Sequence, residues 1–309
     1  MEERWPRELE FISMGDLMAP ISPQQNLREA VSSILGSEYG DDHLDDLPRK
    51  WERFDDIVLI PKGSFSHSRW DRIRSPELWN AVATGLGASR LAISGEISGD
   101  FRGSGAKMLL GENDWVVRRE NGVNFGYRIT KCMFSSGNVN ERKRIGEVVE
   151  NEEIVVDLYA GIGYYTLPIL VNSGAKHVHS CEWNPEAVEA LRENLISNRV
   201  TERCTIYFGD NRESCKDLQG IADRVLLGLL PSSEEGYKPA LSTLKPKGGS
   251  IHVHGLSRAK KHREWSNQVI GSLKFLEPES KFINSNLVRV KSHSPHWDHV
   301  VMDIIVRRF

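Results

Sequence analysis

The chain has 309 residues, of which 39% are hydrophobic and 27% charged, and 40 Lys and Arg against 43 Asp and Glu leave a formal net charge of −3. That length holds one large domain or two modest ones with ample core, and the near balance of charge excludes a globally basic nucleic-acid binder while leaving room for a local basic face. No apolar stretch reaches membrane-spanning length, and the charged start MEERWPRELE is no secretory signal. The four cysteines (Cys132, Cys181, Cys204, Cys215) lack CxxC spacing and read as reduced thiols, so the expected compartment is the cytoplasm.

Residues 1–50 are polar, with a helix expected around Asn26–Leu35 and an acidic cluster, Asp41, Asp42, Asp45 and Asp46, expected as a solvated loop. From Trp51 the chain turns apolar. It alternates a strand (Ile57–Ile60), a helix (Pro76–Leu86), a strand (Leu91–Ile97) and a hairpin, Trp115–Arg118 and Val123–Ile129 about an Asn121-Gly122 turn. Residues 51–131 therefore read as a small α+β domain. It carries Arg69, Arg72, Arg74, Arg102, Lys107, Arg118, Arg119, Arg128 and Lys131, with Trp70, Phe101 and Trp115 interleaved. That mixture suits structured RNA, where phosphates anchor and splayed bases stack, and suits equally well scattered charge over an ordinary core. Residues 132–150 form a bridge in which Asn138 or Asn140 can cap a helix running to Val149. Such a helix would set Ser135 and Arg142 over the mouth of a site at the head of the next sheet; the alternative is a plain linker with a solvated ERKR face.

Ile154–Glu182 is the most informative stretch. An apolar run, Ile154 to Val156, ends in Asp157; a tight turn follows at Gly161 and Gly163, then an apolar helix-length segment, then a second strand, His177–Cys181, ending in Glu182. This is one βαβ unit of a doubly wound sheet, in which the glycines admit a sharp turn and a close ligand, and the acid at the second strand's end is the usual partner of a ribose diol. No third glycine completes G-x-G-x-x-G and no P-loop Lys follows, so the turn is not built to cradle phosphates. An acid before the turn suits a positively charged ligand, and S-adenosylmethionine fits; an ordinary βα turn is the plainer reading. Asn184 caps a helix to about Ser197, and a third strand, Cys204–Phe208, delivers Asp210 and Asn211 to the crevice where adenine would sit. Further strands are expected at Ala222–Leu229, Ser250–His254, Asn286–Lys291 and Val300–Val306, the last as an antiparallel insertion. The fold class is α/β: a class I methyltransferase (Rossmann-like) catalytic domain over 151–309, with a small N-terminal α+β domain.

Together, DLYAGIGYYTLP, CEWNPEAV, FGDNR and GLLPSSEEG resemble the wybutosine-synthesizing aminocarboxypropyltransferases, relatives of the tRNA guanosine-37 N1-methyltransferases, over roughly residues 57–309. The resemblance implies S-adenosylmethionine as cofactor and phenylalanine tRNA as partner, modified at position 37. It implies transfer of the 3-amino-3-carboxypropyl group to C7 of 4-demethylwyosine, leaving methylthioadenosine. It implies cofactor contacts from Ser135 and Arg142, from Glu182 on the ribose, and from Asp210 and Asn211 at the adenine, with Gly161 and Gly163 as the floor. Fusion to, or association with, other enzymes of the pathway is also an expectation of the family.

A sulfonium has three electrophilic carbons, so the protein must choose the transferred group by orientation. Arg142 is a chemically sensible partner for the α-carboxylate of that group, or else a solvent-facing member of the ERKR run. Gly228-Leu229-Leu230-Pro231 offers no side-chain acceptor for a target nitrogen, which argues against methylation of an amino group. The rivals are N1-methylation of guanosine 37 and a catalytically silent RNA-binding module. No catalytic base is assigned; Asp157 is either structural or opposes the sulfonium. His293, His296 and His299 share no face and flank Pro295, so no metal is expected and they read as loop histidines near RNA, while His252 and His254 read as lining the end of their strand. Arg258, Lys260, Lys261 and Arg263 are either phosphate contacts or a solvated run.

Overall fold

Ser22 accepts from the Gln25 N–H at 3.2 Å and starts α1 (Pro23–Ser32), with Pro23 in the first turn, where its missing N–H has no helical partner to lose. Residues 22–36, 40–99 and 101–309 are described in this computed structural model. They fall into two units, one running to Ile93 and adding Met108–Gly111, the other comprising Ser94–Lys107 and Glu112–Phe309.

In the first unit α1 is followed by α2 (Asp41–Asp45), β1 (Glu52–Phe54), β2 (Ile57–Ile60), α3 (Pro76–Gly85) and β3 (Arg90–Ile93), and β4 (Lys107–Leu110) completes a sheet of order β1-β2-β3-β4. Leu27 and Val31 of α1 and Leu78 and Val82 of α3 share one apolar cluster with Val58, Ile60 and Leu91 of the strands. The two helices meet so closely that a Cβ on Gly85 would lie 2.8 Å from the Leu27 Cα. One expectation is corrected here and one open reading is decided. The acidic cluster forms α2 rather than a loop, because Asp41 and Asp42 occupy the first turn, where the helix dipole favours them. Asp46 just beyond it accepts the Trp70 indole N–H at 2.7 Å, and Trp70 is fully buried, so it is core and not a platform for a base.

The second unit begins its regular structure with β5 (Trp115–Glu120) and β6 (Val123–Arg128), an antiparallel hairpin about Asn121 and Gly122. The expected strand Leu91–Ile97 stops at Ile93. Beyond it, Gly95 passes so near Gly105 that a Cβ would lie 1.8 Å from the Gly105 carbonyl oxygen. Then come α4 (Val139–Val148), β7 (Ile154–Asp157), α5 (Thr166–Asn172), β8 (His177–Glu182), α6 (Pro185–Ser197), β9 (Cys204–Phe208) and α7 (Asn211–Ser214). They are followed by β10 (Arg224–Leu227), α8 (Tyr237–Thr243), β11 (Gly248–Arg258), α9 (His262–Leu276), β12 (Lys281–Ser294) and β13 (Trp297–Arg307). The sheet order is β12-β13-β11-β10-β7-β8-β9, parallel from β11 to β9, with β13 antiparallel between β11 and β12. The order reverses between β7 and β10, which opens a crevice at the strands' carboxyl ends. Pairing of β12 with β13 breaks register at Asn284/Asn286, Arg289/Lys291 and Ser292/Ser294. Among the described residues no helix is long and apolar enough to cross a membrane.

The hairpin belongs with the Rossmann-like sheet rather than with a domain ending at 131, a correction with a clear cause. Two strands cannot bury a core alone, and α6 supplies what they lack. The Asn194 side chain accepts from the Gly126 N–H at 2.6 Å and donates to the Gly126 and Ile162 carbonyls, both at 2.9 Å, while Asn198 makes the same two-way contact with Asn124.

A buried polar chain crosses the sheet. Arg224 donates to Glu153 at 2.7 Å and to His252 Nε2 at 2.7 Å, which leaves the His252 proton on Nδ1, facing Asp303 at 2.6 Å. Arg144 joins Asp303 to Glu141. His254 Nδ1 lies 3.0 Å from His299 Nε2, and both rings are buried. His252 and His254 thus belong to the interior of β11 rather than lining its end, and His299 is a core residue of β13, not a loop histidine.

Candidate functional site

Glu182 ends β8 beside the crevice, and both of its carboxylate oxygens are engaged by the backbone. Oε2 accepts from Gly161 N–H at 2.6 Å, and Oε1 from Trp183 and Asn184 N–H at 3.0 and 2.8 Å. Burial pushes its pKa up, and the three N–H groups oppose that push by favouring the charged form. The glycine turn makes this geometry possible: Gly161 and Gly163 have φ of +55° and +99°, which a side chain would strain, and a Cβ on Gly163 would lie 2.7 Å from Leu167 Cγ. Asn184 then accepts from Glu186 N–H to cap α6 and donates to the Phe101 carbonyl.

These residues open onto a cavity of about 900 Å³. Ser135, Arg142, Gly161, Glu182, Asp210 and Asn211 all line it, so these six residues named from sequence are brought to one place, whereas Gly163 of the same turn is not on its wall. Asp210 accepts from Arg212 through the backbone N–H at 2.9 Å and through the guanidinium, which holds its carboxyl below the usual range. Asn211 is buried and its amide donates to the Leu158 carbonyl at 2.7 Å, which fixes the side chain. Gly228, Leu229 and Leu230 after β10 form part of the wall, and Arg102 donates to the Leu230 carbonyl at 2.8 Å.

Asp157 does not reach the cavity. It is fully buried, accepts from the Thr166 hydroxyl at 2.9 Å and the Tyr159 N–H at 3.3 Å, and burial pushes its carboxyl up to about 6. Of its two sequence readings, the structural one holds. Arg142 also differs from a solvent-facing residue of a charged run. It is 2% exposed, its Nε and Nη2 donate to Glu120 Oε2 at 2.9 and 2.6 Å, and its Nη1 donates to the Ser135 carbonyl at 3.0 Å. Its charge is already opposed before any ligand arrives.

Several lining residues escaped the sequence. Lys291 of β12 donates to the Ser135 hydroxyl at 2.5 Å. Phe101 and Trp183 meet edge to face at 5.5 Å on the cavity wall, yet remain 53% and 46% exposed. Trp183 sits beside a recognisable motif and Phe101 figures in the sequence only among the aromatics interleaved with basic residues, while nothing around Lys291 points to a site. Arg258 lies over the exposed Trp297 ring at 5.8 Å, and Lys261 pairs with Glu264, so the run after β11 is partly neutralised. Among the described residues no group of three His, Cys, Asp or Glu side chains is disposed to hold a metal.

Comparison with known proteins agrees with this arrangement. Residues 116–276 match the model of the TRM5/TYW2 methyltransferase domain, and residues 31–114 match the TYW2 N-terminal domain, with the boundary falling just before β5. The chain is 44% identical to the tRNA wybutosine-synthesizing protein 2/3/4 of Arabidopsis thaliana, over 93% of this chain and 29% of the relative, so it spans less than a third of that protein. It is 39% identical to the tRNA wybutosine-synthesizing protein 2 homolog of Danio rerio, over 95% of this chain and 83% of the relative. Among solved structures, Pyrococcus horikoshii TYW2 in complex with MeSAdo superposes with a TM-score of 0.75 at 29% identity, covering 93% of this chain and all of that one (100%). The chain belongs to the TRM5/TYW2 family, with a TYW2 N-terminal domain preceding its methyltransferase-like domain.

Proposed function

We propose that this protein is an S-adenosylmethionine-dependent tRNA-modifying transferase that moves the 3-amino-3-carboxypropyl group to C7 of 4-demethylwyosine at position 37 of phenylalanine tRNA. The observation that carries the reading is the cavity at the β7/β10 reversal, walled by Glu182, Asp210 and the Gly161 turn, in a chain that joins a TYW2 N-terminal domain to a TRM5/TYW2 methyltransferase domain. The donor set fits the cofactor. Glu182 Oε2 has one N–H partner and a free lone pair for a ribose hydroxyl, Asp210 and Asn211 stand just past the end of β9 for the adenine, and the glycine turn is followed by Tyr164 and Tyr165 rather than by a P-loop Lys. When bound at these residues, S-adenosylmethionine would supply a sulfonium whose γ-carbon is electrophilic toward the base carbon, with the C–S electrons leaving on sulfur as methylthioadenosine and the C7 proton passing to water.

The chain's own residues bind and orient. Glu182 is fixed in one rotamer by three backbone N–H groups before the ribose arrives, so little side-chain entropy is lost on binding. Tyr164, half-buried with its hydroxyl donating to the Met133 carbonyl, ties the turn to the bridge that carries Ser135. The MeSAdo complex of the Pyrococcus horikoshii neighbour supports the reading, since that ligand is what remains after aminocarboxypropyl transfer. Methylation of guanosine N1 is less well served, because the wall after β10 presents Leu229 and Leu230 and the Leu230 carbonyl already accepts from Arg102.

The test is a paired labelling assay on phenylalanine tRNA bearing 4-demethylwyosine, with cofactor labelled either in the methyl group or in the carboxylate. Carboxylate label entering the tRNA is the expected result; methyl label alone would replace this reading with the methyltransferase one.

A further inference from the structure

The aminocarboxypropyl group carries an α-carboxylate that needs a cation, and the cavity wall presents Arg102, Arg142, Arg212 and Lys291. Arg212 is committed to Asp210 and Glu235. Arg142 is committed to Glu120. Arg102 is bonded to the Leu230 carbonyl, in the wall after β10. Lys291 differs from Arg142 and Arg212: its ammonium donates to a neutral hydroxyl, that of Ser135, and among the described residues no carboxylate lies within ion-pairing distance. Arg142 and Lys291 together bring two positive charges to this end of the cavity and Glu120 brings one negative charge, which leaves a net positive charge facing the space.

The position is built rather than incidental. The register break between Arg289 and Lys291 re-aims the strand, so that Arg289 pairs with Asp298 and is half exposed while Lys291 lines the cavity, although an unbroken strand would put both on one face. Gly137 leaves space for the lysine stem, since a Cβ there would lie 2.9 Å from Lys291 Cδ. Burial and the neighbouring Arg142 depress the Lys291 ammonium pKa, so the charged form is held at a cost that an anion beside it would relieve.

We propose that Lys291, with the Ser135 hydroxyl, binds the α-carboxylate of the aminocarboxypropyl group, while Arg142 acts as a positioning residue that fixes the Ser135 backbone. This rests on the transferase reading and deepens it. Lys291, Ser135 and Glu182 line one cavity, Lys291 from β12 and Glu182 from β8, so one ligand can meet the ribose contact and the carboxylate contact in the same space. Anchoring the far end of the amino-acid tail restricts the orientation of the C–S bond to be broken. It also distinguishes substrate from product, because methylthioadenosine has no carboxylate.

The experiment is isothermal titration of the full chain and of Lys291→Met and Lys291→Arg with three ligands: S-adenosylmethionine, its decarboxylated form and methylthioadenosine. Lys291→Met is expected to weaken S-adenosylmethionine by about tenfold to a hundredfold, the range for a hydrogen bond to a charged group, and to leave the two ligands without a carboxylate within about twofold. Lys291→Arg is expected to recover most of the loss. An unchanged affinity for S-adenosylmethionine in Lys291→Met, or an equal loss for all three ligands, would overturn the assignment, the second by showing a merely structural role. If none of the three ligands binds the unaltered chain, the transferase reading itself falls and takes this assignment with it. That outcome is distinguishable, because the unaltered protein alone reports it.

Discussion

Glu120 Oε2 receives two of the Arg142 nitrogens, Nη2 at 2.6 Å and Nε at 2.9 Å, and the Phe134 ring lies 4.4 Å from the guanidinium carbon. The pair joins the end of β5 to α4 with side chains only 10% and 2% exposed. Removing one partner leaves a buried charge unopposed. Glu120→Ala is therefore expected to cost about 3–5 kcal/mol of stability in the second unit, read as a lowered denaturant midpoint. A variant as stable as the parent would mean that the guanidinium reaches water when its partner is gone.

Glu182 faces a different demand. Glu182→Gln keeps the shape but loses the charge, and its amide nitrogen cannot accept from the Gly161, Trp183 or Asn184 N–H groups. Affinity for S-adenosylmethionine and for methylthioadenosine should fall together, by about tenfold or more, since both carry the ribose. Titration of both ligands checks this, and a loss confined to one of them would contradict a ribose contact.

Asn194 is the anchor of the hairpin. It is almost fully buried and bonds both backbone groups of Gly126 as well as the Ile162 carbonyl. Asn194→Ala leaves those groups unsatisfied and should destabilise the unit by about 2–4 kcal/mol. Hydrogen exchange should speed up most at the Gly126 amide and its neighbours in β6. Uniform acceleration across the unit would instead mean that the hairpin unfolds only with the rest.

Acid should weaken the fold through the buried histidines. Burial holds His254 well below its ordinary value and pushes His299 down to about 4, while an unfolded chain takes up these protons near 6.5. Between those values the unfolded state binds more protons, so stability is fully present above about 6.5 and is lost as the pH falls toward 4. The His299 shift alone corresponds to about 3 kcal/mol over that window. Glu141 and Asp157, whose carboxyls are raised by burial, work in the opposite direction. The clean comparison is therefore the slope of stability against pH in the parent and in His299→Gln, which should be shallower; equal slopes would show that His299 titrates freely.

Much of the second unit was legible because its signals are local. Gly161, Gly163, Glu182 and Asp210 sit at fixed offsets from apolar strands, and the strand-turn-helix logic puts them at one end of the sheet without knowledge of any distant residue. The capping of α6 by Asn184 and Pro185 was readable for the same reason. The rest depends on partners remote in sequence. Nothing near Arg142 reveals Glu120, and nothing near Lys291 reveals that a break at Arg289 turns it toward Ser135. The hairpin was assigned to the wrong neighbour because its two anchoring asparagines lie far along the chain, Asn194 in α6 and Asn198 at its C-cap. Whether Trp70 faced RNA or belonged to the core stayed open in the sequence, because its basic neighbourhood was visible whereas its burial against Asp46 was not.

The interrupted β12 has one more effect, on how copies of the chain meet in solution. It is the outermost strand of its sheet, and a long flat edge there would offer free N–H and C=O groups to the same strand of a second molecule. Three breaks of register and the charges of Lys281, Arg289 and Lys291 make that edge a poor template. The irregularity that aims one lysine inward thereby also opposes edge-to-edge aggregation.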